Sequence, residues 1–359
     1  MPQPARSSRS RSTVALTSAD GVQPTDESAD VRSAEIIPLA ARRALRARKE
    51  ARVQRPLDVP PTLRALEALP ERPAPFLKWV GGKSRILGQI VPYFPQGQLR
   101  YGEPFVGGGA VFFALQGDQR LAHAVLGDAS ADLVAGYKTL RDAPDSLISA
   151  LWEHEVEYLS ADADARAAMF YAVRARHPAE HRLTDVERAA RLLFLNRTCF
   201  NGLWRENSRG QFNAPHGRYE RPSIVQAGKM WKAHEALRQA EVVRADFRDW
   251  PRLAREHGLD FVYLDPPYHP VSVTSSFNAY AGGGFSAKAQ QELADVCGEL
   301  DAMGVRWVLS NSDCALIREL YKRYNIHTVR APRAVNCKAE GRGDVSEVLV
   351  TNRRAGLRW

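Results

Sequence analysis

Asp265-Pro266-Pro267-Tyr268 closes the apolar run Phe261–Leu264 and delivers a carboxylate, two rigid prolines and an aromatic ring together at a strand tip. Proline has no N–H and a fixed φ, so carbonyls in this stretch stay out of regular helical hydrogen bonding and can face a ligand. A carboxylate beside such a carbonyl accepts both N–H bonds of an amine, and the ring can stack on a flat heterocycle. The tetrapeptide therefore has the parts to grip a base by its exocyclic amino group. Taken alone, it is equally an ordinary strand-terminating turn.

Other segments carry complementary chemistry. Tyr101-Gly102-Glu103-Pro104-Phe105-Val106-Gly107-Gly108-Gly109-Ala110 precedes the apolar run Val111–Leu115, and glycines there let backbone approach a ligand just before a helix begins. Asp128 ends another apolar stretch, Leu121–Leu126, 19 residues after Gly109. That is the spacing at which an acid grips ribose hydroxyls in nucleotide-binding α/β folds; the alternative is a helix N-cap for a segment starting near Ala131. Pro75–Lys83 joins Lys78 and Trp79 to a Gly-Gly turn and Lys83, which could neutralise a ligand carboxylate while Trp79 covers an apolar or cationic face. Gly81-Gly82-Lys83-Ser84 is not a phosphate loop, because Leu77 stands where that motif needs its first glycine.

The segment Asn196–Tyr219 crowds Asn, Arg, Gly and four aromatics together. Asn and Arg make bidentate contacts to adenine and guanine, and Phe or Trp can wedge between bases. The alternative, a solvated polar loop, is weakened by those aromatics.

These groups need a scaffold. Short apolar runs at Leu121–Leu126, Phe261–Leu264, Trp307–Leu309 and Val348–Val350 predict buried strands. Helical patterns lie between them at Ser286–Leu300 and Asp313–Tyr324, and Thr184 with Glu187 forms a capping box ahead of Ala189–Phe194. Strands alternating with helices indicate an α/β sheet. The stretch 138–240 differs, being helix-rich and then loop-rich, and reads as an insertion between sheet segments 74–137 and 241–355.

The 359 residues suffice for more than one domain. A net charge of +9 favours a polyanionic partner without specifying one. No run approaches the about 18 apolar residues of a membrane span. Cys199, Cys297, Cys314 and Cys337 show no metal-ligand spacing, so neither zinc nor disulfides are expected, and free thiols point to a reducing compartment. Residues 1–73 hold 13 basic and 9 acidic residues, with seven of the basic ones between Ala41 and Arg55. They lack the apolar core of a secretory signal and read as a disordered basic extension, followed by a Pro-rich linker from Pro56 to Pro75.

Together and in order, Phe76–Lys83, Glu103–Gly109, Asp128, Asn196–Tyr219, Asp265–Tyr268 and Phe277–Tyr280 resemble the motifs of Dam-like, alpha-group DNA adenine-N6 methyltransferases. The resemblance spans roughly residues 75 to 352, including Ser310-Asn311 and Val345–Asn352. It implies a Rossmann-like sheet with an inserted, mainly helical target-recognition domain, S-adenosylmethionine as methyl donor, and double-stranded DNA as partner. It implies that Trp79, Lys83, Phe105, Gly107, Gly109, Asp128, Asp246 and Asp265 bind the donor. Asp265, Pro266, Pro267 and Tyr268 would be catalytic, and Lys78, Phe200, Asn201, Leu203, Arg205, Asn213 and Pro215 would contact DNA. The Asn201–Pro215 segment is closest to the GATC-methylating branch. A monomeric, cytoplasmic, nucleoid-associated enzyme without a metal is expected, acting alone or beside a cognate restriction nuclease.

Two departures are Gly107-Gly108-Gly109, with one glycine more than usual, and the small pair Ala129-Ser130 after Asp128. Cytosine-N4 enzymes, which more often place Ser where Asp265 stands, and a catalytically idle DNA-binding regulator are the alternatives.

Overall fold

All four side chains of Phe261–Leu264 are buried, because the strand they form is covered on both faces. The computed structural model describes residues 69–207, 209–270, 285–332 and 344–352, all within one compact unit. Residues 1–68 of the basic extension and linker, Cys337 and Phe277–Tyr280 lie outside the described residues.

The chain runs β1 (Leu99–Glu103), α1 (Ala110–Gly117), β2 (Leu121–Asp128), α2 (Ala131–Asp142), α3 (Pro144–Ser160), α4 (Ala163–Ala175), α5 (Asp185–Thr198), α6 (Ala227–Leu237), β3 (Ala240–Arg244), α7 (Trp250–Glu256), β4 (Phe261–Leu264), α8 (Ala287–Ala302), β5 (Arg306–Ser312), α9 (Ala315–Leu320), β6 (Asn325–Pro332) and β7 (Asp344–Thr351). Single α-helical turns lie at Leu87–Ile90 and Pro178–His181, and 3-10 turns at Lys83–Arg85, Val91–Tyr93, Phe200–Gly202 and Phe247–Asp249. The strands form one sheet in the order β3-β2-β1-β4-β5-β7-β6. The first five are mutually parallel, and β7 runs antiparallel to both its neighbours.

Successive side chains of a strand enter opposite layers. Phe261 and Tyr263 of β4 join Tyr101, Leu126, Phe112, Tyr137 and Phe194 on one face, while Val262 and Leu264 join Trp250, Leu293, Trp307 and Tyr321 on the other. The α/β architecture and its mostly parallel sheet are as the sequence implies.

Helix α5 begins at the capping box read from the sequence, with Thr184 and Glu187 bonding each other's backbone N–H. Helix α2 is capped by Ser130, whose hydroxyl accepts from Leu133 N–H; Asp128 is not the N-cap but accepts from Ser130 N–H at 2.9 Å. The helix expected over Asp313–Tyr324 is only the six residues of α9, since the chain must turn by Asn325 to enter β6.

The indole of Trp250 lies flat across β1 and β2. A Cβ on Gly102 would sit 2.6 Å from its Cζ3, and one on Gly127 would sit 2.7 Å from its Cζ2. Both contacts are far inside van der Waals range, and Trp250 is fully buried with nowhere to go. Gly127→Ala should therefore lower stability by about 1–3 kcal/mol in a denaturant melt. A variant as stable as the parent would show that the indole is free to shift.

Candidate active site

In the order β3-β2-β1-β4-β5, the direction of strand addition reverses between β1 and β4. Ligands of open α/β sheets bind outside the carboxyl ends of the strands at such a reversal. Glu103 ends β1, Asp128 ends β2 and Asp265 directly follows β4, so the sheet collects three of the acidic side chains at one crevice mouth.

Asp265 is paired with Lys83. The Lys83 ammonium lies 2.7 Å from both carboxylate oxygens, donating to Oδ2 and to the Gly81 carbonyl. Oδ1 has no other hydrogen-bond partner among the described residues. The side chains are 5% and 17% exposed respectively. Burial pushes the Asp265 carboxyl upward, and the adjacent ammonium opposes that shift. Lys83 also stands 4.8 Å from the centre of the Tyr268 ring, whose phenol donates to Glu347 Oε2 at 2.7 Å. Below the tetrapeptide, Gln290 donates to the Pro267 carbonyl, Asn311 donates to Gln290 and accepts from His269 N–H, and Ser312 donates to the His269 carbonyl. Pro266 is buried, whereas Pro267 faces solvent.

Gly107 and Gly109 both adopt left-handed φ, at +46° and +69°. A Cβ on Gly107 would meet the Trp79 ring at 2.7 Å, so the indole lies directly over the glycine bend. Gly107 N–H points at Asp128 Oδ2 at 3.4 Å. Burial raises the Asp128 carboxyl to about 6, against backbone hydrogen bonds that lower it. Phe105 stacks with Phe247 at 5.9 Å, and Phe285 meets both rings. Asp246 lies just beyond β3, the neighbour of β2, but its carboxylate caps the turn that follows and pairs with Arg248.

The segment carrying Lys78 and Trp79 is pinned by α5. Asn196 accepts from Lys78 N–H at 2.9 Å and donates to the Lys78 carbonyl at 2.7 Å, and Arg197 donates to the Phe76 carbonyl and to Gln226. Both side chains are buried. Burial and the Arg197 charge lower the Lys78 ammonium. Lys78, Arg197, Arg221 and Tyr219 line a basic cavity of about 240 Å³.

Residues Cys199–His216 form an irregular hairpin, with bridges Cys199–His216 and Glu206–Phe212. Arg205 is exposed and donates to Asn213 Oδ1 at 2.7 Å, joining two of the DNA-contact candidates. Phe200 is 51% exposed, Pro215 is exposed, and Asn201 takes a left-handed φ of 55°. Leu203 is half-buried. Trp204, read in the sequence as a residue able to wedge between bases, stacks on Trp79 at 6.4 Å with 20° between planes, and so ties the hairpin to the glycine bend.

Sequence reasoning also passed over Glu347, Phe247, Phe285 and Gln290, which reach the crevice by tertiary pairing without a local signal. The donor atoms of His123, Glu241 and His257 come within 4.8 Å of one another beyond this crevice. Burial and then the Arg100 charge lower the His123 imidazole, and Arg100 donates to the His257 carbonyl.

A doubly wound sheet with an acidic switch-point crevice defines a Rossmann-like fold with a ligand site at its strand ends. The chain belongs to the D12 class N6 adenine-specific DNA methyltransferase family, whose model matches residues 79–335. It is similar to the Type II methyltransferase M1.LlaDCHI of Lactococcus lactis subsp. cremoris, at 39% identity over 288 residues, covering 77% of this chain and 95% of that one. It is similar to the Type II methyltransferase M.MjaIII of Methanocaldococcus jannaschii, at 38% identity with 77% and 98% covered. The DNA adenine methylase of Escherichia coli K12 is 32% identical over 274 residues, with 76% and 93% covered. The expectation of adenine-N6 rather than cytosine-N4 chemistry is borne out. Family and fold imply S-adenosylmethionine as methyl donor, and no helix among the described residues is long and apolar enough to cross a membrane.

Glu103 is buried under this crevice, accepting from the Tyr101 phenol at 2.9 Å. Burial raises its carboxyl to about 8. Between its ordinary value near 4.5 and about 8, the folded chain holds a proton that the unfolded chain has released. Stability contributed here is thus present at low pH and lost as pH rises towards 8. Glu103→Gln should flatten that slope and raise stability at pH 9 by a few kcal/mol, read from denaturant melts across pH. An unchanged slope would mean that Glu103 is ionised in the folded state.

Proposed function

We propose that this enzyme methylates adenine N6 within GATC in duplex DNA, acting on a base swung out of the helix. The observation that carries the reading is the Trp79–Trp204 stack, which makes the Arg- and Asn-bearing hairpin continuous with the wall of the crevice. An adenine inside a duplex cannot reach a carboxylate as enclosed as Asp265, so the base must leave the stack. Residues 138–240 would then be the recognition segment set between the two catalytic segments, 74–137 and 241–355. The relatives named as Type II methyltransferases make a restriction nuclease one candidate partner.

The residues fit the implied donor. Oδ1 of Asp265, whose one close neighbour among the described residues is the Lys83 ammonium, keeps acceptor capacity for a cationic ligand, and the Cβ-free Gly107–Gly109 bend lets backbone approach one beside Trp79. Asp128 would hold the ribose hydroxyls, Phe105 and Trp79 the flat and apolar parts, and Lys83 the donor's carboxylate. Asp246 would give its pairing with Arg248 a second role towards the donor's adenine. Bound there, S-adenosylmethionine supplies an electrophilic methyl on a sulfonium centre.

The chain's own work concerns the acceptor. The lone pair of adenine N6 is delocalised into the ring, which makes it a poor nucleophile. Asp265 accepting one N–H and the Pro266 carbonyl accepting the other draw the nitrogen towards tetrahedral geometry and aim its lone pair. Tyr268 stacks on the base, and Pro267 stiffens the turn between them. Fixed acceptors in a water-poor site lower the barrier by placement and electrostatics, with no covalent enzyme intermediate. On the DNA, Phe200 fills the space vacated by the base, and Arg205 reads guanine while Asn213 braces its guanidinium. Lys78, Asn201, Leu203 and Pro215 complete the contact surface.

Transfer of labelled methyl to unmethylated plasmid, followed by base analysis and nuclease mapping, should give N6-methyladenine at GATC, and none with Asp265→Ala. Methyladenine at another sequence would overturn the GATC assignment. Arg205→Ala should cost about 1–3 kcal/mol of discrimination at its guanine, measured as kcat/KM for matched and substituted duplexes. Equal losses on every duplex would make it a phosphate contact.

The donor KM should rise as pH falls through about 6, because protonated Asp128 accepts poorly from hydroxyls. Asp128→Asn should abolish that limb and raise the donor KM about ten- to a hundredfold. A limb that survives the substitution belongs to another group.

A further inference from the structure

We propose that Glu347 is a positioning residue for the acceptor base, fixing the Tyr268 ring by holding its phenol. The proposal rests on the reading of Tyr268 as the surface on which the extruded adenine stacks. Strand β4 ends before the tetrapeptide, so nothing in the sheet ladder orients the Tyr268 side chain. Its orientation comes from the neighbouring strands. On β5, Asn311 and Ser312 hold the backbone of His269, immediately after the tyrosine, by accepting from its N–H and donating to its carbonyl. On β7, Glu347 stands opposite Ser312 in the antiparallel register, and its Oε2 accepts from the Tyr268 phenol at 2.7 Å.

A tyrosine ring has two side-chain torsions, and tethering both the backbone and the phenol leaves neither free. Lys83 stands 4.8 Å from the centre of the same ring and also clamps Asp265. The ring's tilt is therefore coupled to the carboxylate that receives the amine. Glu347 touches neither acceptor nor donor in this arrangement; it acts through Tyr268. Because β7 is antiparallel and close to the chain's end, Glu347 approaches the site from 79 residues away in sequence.

The test is a double-mutant cycle in single-turnover methylation of a duplex with one target adenine, using the full chain. Glu347→Ala and Tyr268→Phe delete the same bond from its two sides. Each should lower the rate about tenfold, and the pair should lower it no further than either alone. Glu347→Gln, which still accepts from the phenol, should recover most of the loss. With 2-aminopurine at the target position, Glu347→Ala should leave the extruded base brighter than in the native complex, because stacking quenches it; a merely structural defect would show in the melt and not in this signal.

Additive losses, or a native rate in folded Glu347→Ala, would overturn the proposal. Should Glu347→Ala fail to fold, Tyr268→Phe still decides, and a native rate there overturns it equally. Tyr268→Ala separates the two levels: a native rate would overturn the stacking reading and this proposal together, whereas a deep loss beside a native Glu347→Ala overturns only the role of Glu347.

Discussion

An enclosed carboxylate is costly to keep ionised without a positive partner, and the Lys83–Asp265 pair is the constraint on which the site is built. Asp265 is fixed by the end of β4, so Lys83 must be brought to it from 182 residues away. That requires the segment Phe76–Lys83 to be held without belonging to any long helix or strand. Asn196 and Arg197 of α5 do this by bonding its backbone. Their own burial is affordable because each finds carbonyl or amide partners. One ion pair thereby draws α5 and the end of the sheet into a single arrangement.

The same segment ties the Cys199–His216 hairpin to the crevice. Lys78 faces the basic cavity with Arg197 and Arg221, while the next residue, Trp79, lies over the glycine bend and stacks on Trp204 of the hairpin. A shift of the hairpin therefore presses on the glycine bend through two packed indoles. Packed aromatic contacts transmit displacement because interiors are nearly incompressible.

Sequence reasoning reached the centre of this arrangement and faltered towards its edges, for identifiable reasons. Strand β4 was visible because burial on both faces makes every residue apolar. Strand β1 was not counted among the apolar runs: Arg100 reaches out to carbonyls at His257 and Gly258, and Gly102 lacks a side chain because Trp250 fills that place. The edge strands β3 and β6 carry charged and polar residues that mask their period. Asp265, Asp128 and the glycine bend announced themselves as polar or Cβ-free residues after strands, and Lys83 as a basic residue behind a Gly-Gly turn. Gln290, Glu347 and the stacking of Trp204 on Trp79 did not, since what brings them to the crevice is pairing between strands and loops distant in sequence.

The central claim is that Asp265 and the Pro266 carbonyl receive the two N–H bonds of an extruded adenine. A crystal structure of the enzyme with a GATC duplex and an unreactive donor analogue tests it most directly. The account predicts the adenine outside the helix, its N6 within hydrogen-bond distance of both oxygens and its ring against Tyr268. An adenine still stacked in the duplex beside a correctly seated donor analogue, or an N6 bonded to other groups, would contradict it.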